Sequence, residues 1–118
     1  MEAEWIEDGG YYRVRYTGLR TYARISAMLA EVKAKAESTG VFRYFFDLRD
    51  SHEGFSIEDK YNLGADLARL FGGKFTLAAV LQKKDITGFL ENVTVNRGPI
   101  RFKVTDDEAL AIAFLKSP

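Results

Sequence analysis

Ionisable side chains that could bind a metal ion are concentrated at the end of one predicted strand. Carboxylates together with a His can hold a divalent cation, and open α/β sheets bind ligands at the carboxyl ends of their strands. The sequence contains a single His, however, and a loop at a strand end is polar because it is solvated. We therefore expect a solvated rim loop over residues 49–55 and no metal site. The rim-loop candidates are Asp47, Asp50, His52 and Glu53.

Ser56 carries a hydroxyl whose position raises the question of phosphorylation. It precedes the second predicted helix, where a phosphate would meet free backbone N–H groups and the positive end of the helix dipole. Glu58 and Asp59 follow closely and would repel a phosphate. Asp59 also stands three residues after Ser56, which is the spacing of a capping box. This pattern favours a helix N-cap, with a regulatory phosphoserine as the alternative.

Motifs of covalent catalysis and of phosphate binding are missing from the sequence. There is no Cys and one His, so pairs of a nucleophile and a base are nearly excluded. The segment Gly72-Gly73-Lys74-Phe75 lacks the earlier Gly and the following hydroxyl residue of a P-loop. We therefore predict a non-catalytic protein without a cofactor. A metal- or carboxylate-dependent enzyme is the remaining catalytic alternative.

The composition predicts one globular domain, residues 1–118, without a nucleic-acid partner. Of its side chains 47% are hydrophobic, and 17 basic residues balance 17 acidic ones. Nucleic-acid modules take much of their affinity from clustered Lys and Arg, which this balance argues against. Apolar runs such as Leu77–Leu81 are far shorter than the roughly 20 residues of a membrane span. Because Cys is absent and the first residues are acidic rather than signal-like, we expect a cytoplasmic location.

Strands and helices alternate along most of the sequence. An opening hairpin turns at Asp8-Gly9-Gly10, and strand and helix periodicities then follow in turn. The resulting order is β-β-α-β-α-β-α-β-α. Helices between strands act as crossover connections, which place the strands parallel. The sequence thus predicts an α/β fold with a single mixed, mostly parallel sheet of about five strands and four helices.

Residues at the helix ends predict where each helix begins and stops. Thr21 is the predicted cap of the first helix, and Gly40 is its predicted stop. Asp85 is the predicted cap of the third helix. Thr105 and Glu108 have the spacing of a capping box for the last helix. Its predicted inward side chains are Leu110, Ala113 and Phe114.

The second predicted helix, 56–71, carries more apolar surface than a two-layer fold requires. One stripe of ordinary width includes Ile57, Tyr61 and Phe71 and is predicted to face the sheet. Three leucines widen the apolar arc beyond that stripe. A neighbouring loop or helix could cover them, or a second chain could, since monomers seldom expose large apolar patches. The interface candidates are Leu63, Leu67 and Leu70.

Three segments, in this order, resemble the SpoIIAA-like STAS family. Phe45-Phe46-Asp47-Leu48 is similar to the family's strand that ends in Asp-Leu before the central helix. The segment 74–81 is similar to the apolar strand that follows. The segment 100–115 is similar to the closing strand and its helix with a Glu-Ala-Leu start. The likeness covers nearly the whole chain.

The resemblance implies binding rather than catalysis. The family includes anti-sigma-factor antagonists, STAS modules of transporters and sensors, and a branch related to lipid-binding CRAL/TRIO domains. In the antagonists, a Ser within Asp-Ser-Ser/Thr-Gly-Leu at the start of the central helix is phosphorylated. Ser56 has the matching place, but Phe55 replaces the Asp, and Ile57-Glu58 replace the small residues. The departure from the motif puts that switch in doubt.

Two functional hypotheses follow. The first is a non-catalytic interaction or regulatory domain that pairs with itself or with another protein through helix 56–71 and the preceding loop. The second is a carrier or sensor of a small apolar, lipid-like ligand, as the CRAL/TRIO-related branch implies. Neither hypothesis calls for a cofactor, a nucleic acid or a membrane span.

Overall fold

The computed structural model describes residues 2–117, apart from the side chains of residues 2–4 and 93. The predicted order of strands and helices is confirmed, with one further short strand and a 3-10 turn. The strands are β1 (Glu2–Glu7), β2 (Tyr12–Arg20), β3 (Arg43–Asp47), β4 (Ser51–Glu53), β5 (Thr76–Val80) and β6 (Arg101–Thr105). The helices are α1 (Tyr22–Thr39), α2 (Ile57–Phe71), α3 (Phe89–Val95) and α4 (Glu108–Lys116).

One mixed, mostly parallel sheet organises the fold, as predicted. Its strand order is β1-β2-β3-β5-β6. The opening hairpin makes β1 antiparallel to β2, and the pairs β2·β3, β3·β5 and β5·β6 are parallel because helices connect them. Parallel strands end at the same edge, so the loops that follow β3 and β5 lie near each other.

The segment 49–55 is not the plain loop that the sequence predicts. It contains β4, which pairs in parallel with the last residues of β2, Gly18 with Ser51 and Arg20 with Glu53. β2 runs past the end of β3 and exposes backbone groups that need hydrogen-bond partners. The backbone of β4 supplies them, and Gly54 then donates its N–H to the carbonyl of Arg20 at 2.8 Å.

Two apolar layers cover the two sides of the sheet. The larger contains α1 and α2, and five α1 residues at helical spacing are all buried in it: Ile25, Met28, Leu29, Val32 and Ala36. The smaller lies under α4, where Phe45, Ala78 and Val80 meet Ala111 and Leu115. β3 and β5 are therefore covered on both sides, which explains why consecutive residues in the middle of each strand are apolar or aromatic. Within the described residues, no helix has the length and apolarity to cross a bilayer.

The third helix begins later than predicted, and Asp85 does not cap it. Asp85 lies in a short 3-10 turn, Lys83–Asp85, and two residues separate that turn from Gly88. Gly88 has φ of +79°, a left-handed conformation that favours glycine, and α3 starts directly after it. The chain therefore changes direction at Gly88.

The last helix is capped by Asp107 and not by Thr105. The side chain of Asp107 accepts from the backbone N–H of Leu110 at 3.2 Å. Thr105 is still part of β6, and its hydroxyl accepts from the N–H of Asp107 at 3.1 Å. The capping-box prediction failed because the sheet holds Thr105 two residues before the helix can begin.

The inward face of α4 also differs from the prediction. Ala111 and Leu115, one turn apart, are fully buried against the sheet. Leu110 is 46% exposed, Ala113 is exposed and Phe114 is half-buried. The start at Asp107 sets the rotation of the helix, and the buried stripe is therefore displaced by one residue from the predicted one.

Candidate functional site

A cavity of about 90 Å³ lies at the carboxyl end of the sheet, beneath α1, α2 and α3. Open α/β sheets place ligand sites at this end because loops from neighbouring strands meet there. The surface of the cavity is overwhelmingly apolar. Its central lining residues are Met28, Leu29, Phe46, Leu63, Leu67 and Leu90.

Periodicity in the sequence produces this apolar lining. Met28 and Leu29 lie on the buried stripe of α1, and Leu63 and Leu67 lie one turn apart on α2. Phe46 extends from the same side of the sheet as these helices. Each element buries one apolar face, and the faces converge where the strands end.

The leucines proposed as an interface are core residues. Leu63 and Leu67 are 3% and 4% exposed in the single chain, and Leu70 packs against the same cluster. On the opposite side of α2, Ile57 is 67% exposed and Tyr61 is 45% exposed. The interface prediction is therefore wrong for Leu63 and Leu67. Packing onto the sheet buries these two leucines together with Phe71 of the predicted stripe, and it leaves Ile57 and Tyr61 exposed.

Arg20, the last residue of β2, places a cation in the wall of this cavity. It is only 2% exposed. Its Nη1 donates to the Oγ of Ser51 at 2.5 Å and to the carbonyl oxygen of Leu48 at 3.4 Å. Burial lowers the pKa of the Arg20 guanidinium, and the carboxylates of Asp85 and Glu53 oppose that effect. An arginine remains protonated under these conditions.

Four other charged side chains line the same cavity. Glu53 and Lys60 form an ion pair with 2.9 Å between their O and N atoms. Glu91 accepts a hydrogen bond from the backbone N–H of Val104 at 3.0 Å. Asp85 comes from the 3-10 turn after β5. The apolar lining is therefore bordered by charges of both signs.

The rim-loop candidates do not converge on one point. Asp47 is held by Arg49, and Asp50 pairs with Arg15 at 2.5 Å. Glu53 pairs with Lys60, and His52 is exposed on β4. In the part of the chain that the structure describes, no three His, Asp or Glu side chains could share a metal ion.

Asp47 and Glu108 form an ion-pair network with two arginines at the α4 side of the rim. Nε and Nη2 of Arg49 donate to the two oxygens of Asp47 at 2.9 and 3.0 Å. Glu108 accepts from Arg49 at 2.7 Å and from Arg13 at 3.4 Å. These hydrogen bonds hold the pKa values of the Asp47 and Glu108 carboxyls below their ordinary ranges. The network ties the end of β3 to the start of α4.

Ser56 is the N-cap of α2, with the predicted capping box around it. Its hydroxyl accepts from the N–H of Asp59 at 3.0 Å, and the Asp59 carboxylate accepts from the N–H of Ser56 at 2.9 Å. Both partners are occupied in a structural role.

The sequence analysis missed Arg20, although the sequence carries a signal for it. Tyr12, Val14 and Tyr16 alternate on the core side of β2. In the structure the same alternation continues through Gly18 to Arg20, which is therefore a charged residue at a core-facing position. In the sequence, Thr17 and Gly18 interrupt the apolar alternation, so local periodicity ends the strand at Tyr16.

Comparison with known proteins supports the fold. No protein-family model matches the sequence, and no curated protein matches it. A solved structure of an uncharacterised protein of the DUF3478 family from Shewanella loihica PV-4, described as having a SpoIIAA-like fold, matches with a TM-score of 0.58. The identity is 16%, and the match covers 97% of this chain and 92% of that one. The chain therefore has the SpoIIAA-like fold that its three sequence segments resemble.

Proposed function

We propose that this domain is a non-catalytic binding module that accepts a small, largely apolar ligand in the cavity at the carboxyl end of its sheet. The observation that carries the proposal is the converging apolar lining from α1, α2, α3 and the sheet. Ligand sites are typically concave and apolar, with a few polar groups that set orientation. Arg20 is such a group here.

The pairing of the rim carboxylates favours binding over catalysis. A general acid or base must be within hydrogen-bond reach of a substrate and available for proton transfer. Asp47, Asp50 and Glu53 each bind a cationic side chain of the same chain. Each of these carboxylates therefore already has a structural partner.

The size of the cavity limits the ligand. Its 90 Å³ is smaller than the roughly 150 Å³ of a dry protein cavity that holds benzene. A small apolar group is therefore the part of a ligand that it can enclose. A longer chain would have to extend beyond the cavity.

Nuclear magnetic resonance titration with 1-butanol tests the proposal, and native mass spectrometry tests for a co-purified ligand. We expect chemical-shift changes confined to the lining, including the methyl groups of Leu63, Leu67 and Met28. Ala79→Leu should remove the response, because Ala79 lines the cavity and the larger side chain fills it. Ala30→Leu, at an exposed position of α1, is the matched control and should respond like the wild type. Dispersed shifts, or an unchanged response in Ala79→Leu, would contradict the proposal.

Association through the outer face of α2 is a second candidate function, with a second copy of the chain as the partner. Ile57 and Tyr61 are exposed there, and the Tyr61 ring meets the Phe89 ring edge-on at 5.2 Å. Exposed apolar groups that lie together often mark interfaces. Light scattering should then show a dimer that Ile57→Glu converts to a folded monomer. A wild-type monomer at high concentration would exclude this candidate.

A further inference from the structure

Arg20 is the most unusual group in the cavity wall. It is 2% exposed although a buried charge is costly unless it is paired and hydrogen-bonded. No carboxylate of the described residues lies within 4.0 Å of its guanidinium, in contrast to the paired Arg49. The side chain that most needs an anion therefore has none in direct contact.

The unused donors of Arg20 form one edge of the guanidinium. A guanidinium has five N–H donors, and both hydrogen bonds of Arg20 to described residues leave from Nη1. Nε and Nη2 donate to no atom of the residues described. These two nitrogens lie side by side and match the two oxygens of a carboxylate.

Arg49 shows the same edge in use within this chain. Its Nε and Nη2 donate to Oδ1 and Oδ2 of Asp47 at 2.9 and 3.0 Å. Among the described residues, no carboxylate accepts from Nε and Nη2 of Arg20 as Asp47 does from those of Arg49. The contrast indicates that the partner of Arg20 comes from outside the chain.

None of the neighbouring carboxylates of the described residues binds Nε and Nη2 of Arg20. Glu53 is paired with Lys60, and Glu91 accepts the backbone N–H of Val104. Burial lowers the pKa of Arg20, and the charge of Asp85, which lines the same cavity, opposes that effect without an ion pair between the two side chains. The negative charge of Asp85 would oppose a second anion at Arg20, and this opposition can be measured.

We propose that the cavity binds a short-chain carboxylate, with the alkyl chain against Leu63, Leu67 and Phe46 and the carboxylate held by Nε and Nη2 of Arg20. The inference rests on the proposed function, since it names the class of ligand for the same cavity. The alkyl chain supplies the apolar contact, and the charge-assisted bidentate pair supplies selectivity for an anion over a neutral molecule of the same shape.

Butanoate and butanamide form a matched pair of probes, because they share shape and chain length and differ in charge. The wild type is titrated at neutral pH and followed by its methyl and backbone resonances. It should bind butanoate about tenfold more tightly than butanamide, the difference expected of a charge-assisted pair. Both probes should shift resonances of the cavity lining. Equal affinities would refute the carboxylate inference while leaving the proposed function intact. No response to butanoate, butanamide or 1-butanol would refute the proposed function itself.

Asp85→Asn provides a variant that should keep the fold, because the Asp85 side chain makes no hydrogen bond to the described residues. Removal of its charge should raise the affinity for butanoate several-fold and leave the affinity for butanamide unchanged, since only the anion is repelled. Unchanged or weaker butanoate binding in this variant would place the anion away from Arg20 and overturn the inference. Arg20→Gln is the direct test if it folds, and it should equalise the two affinities. A folded Arg20→Gln protein that still prefers butanoate would likewise overturn it.

Discussion

Arg20 donates from Nη1 to the Oγ of Ser51 at 2.5 Å, which joins the last residue of β2 to the first residue of β4. The Ser51 hydroxyl in turn donates to the carbonyl of Leu48 at 2.5 Å. One buried arginine therefore fixes the turn between β3 and β4 and also lines the cavity. The geometry of the rim and the polarity of the cavity depend on the same side chain.

The close approach at Gly54 predicts that a side chain there will loosen β4. A Cβ on Gly54 would lie 2.9 Å from the backbone oxygen of Arg20 and 3.1 Å from the Leu19 side chain. Gly54→Ala should therefore reduce the free energy of unfolding by about 1–3 kcal/mol, the range of an overpacked site. Denaturant titration gives that value, and amide exchange should be faster at Ser51.

Gly98→Ala is the control for this change. A Cβ there would meet its nearest neighbour, the Cβ of Ala68, at an ordinary 3.8 Å. Its effect should stay within about 0.5 kcal/mol. If both variants were equally stable, the contact between Gly54 and Arg20 would not constrain β4.

Ser56 is expected to stabilise α2 as its cap. Ser56→Ala removes the acceptor of the Asp59 N–H and should cost about 1 kcal/mol of unfolding free energy. Ser56→Asp should be nearly neutral because Asp also caps helices well. Ser38→Ala, at an exposed position near the end of α1, should change stability by no more than about 0.5 kcal/mol. A Ser56→Asp protein of normal stability that lost a binding partner would restore the regulatory hypothesis.

Leu67 is expected to behave as a core residue. Leu67→Ala should lower the free energy of unfolding by about 2–5 kcal/mol, since it removes buried methyl groups and leaves a void. Ile57→Ala, on the exposed side of the same helix, should cost no more than about 0.5 kcal/mol in a monomer. Chemical denaturation compares the two. If the Leu67→Ala protein were as stable as the wild type but differed from it in oligomeric state, Leu67 would be an interface residue.

Asp47 is expected to stabilise the fold only above mildly acidic pH. Hydrogen bonds from Arg49 lower the pKa of this carboxyl in the folded state, whereas its unfolded value is about 3.9. The contribution is therefore fully present above the unfolded pKa and is lost as the pH falls through the folded pKa. Asp47→Asn should be less stable than the wild type by about 1–2 kcal/mol at pH 7.

Unfolding curves between pH 7 and strongly acidic conditions test this dependence. The difference between Asp47→Asn and the wild type should shrink once the pH falls below about 4. Asp106→Asn, which changes an exposed carboxylate, should show no comparable trend. A difference that stayed constant down to the lowest pH would mean that the pair with Arg49 adds no stability.

Local sequence patterns predict the order of the elements, both ends of α1 and the start of α2. Thr21 and Ser56 cap helices through hydrogen bonds to backbone groups three residues away, so the information is local. The alternation of strands and helices along the chain was enough to predict a mostly parallel sheet. Such features need no knowledge of distant contacts.

Tertiary structure alone decided which apolar arc of α2 is buried and where β2 ends. Both arcs of α2 satisfy helical periodicity, and contact with α1 and the sheet selected Leu63 and Leu67. β2 continues to Arg20 because β4, more than thirty residues later, pairs with it. The cavity arises from these long-range contacts, because the partner that stabilises each segment lies far away in the chain.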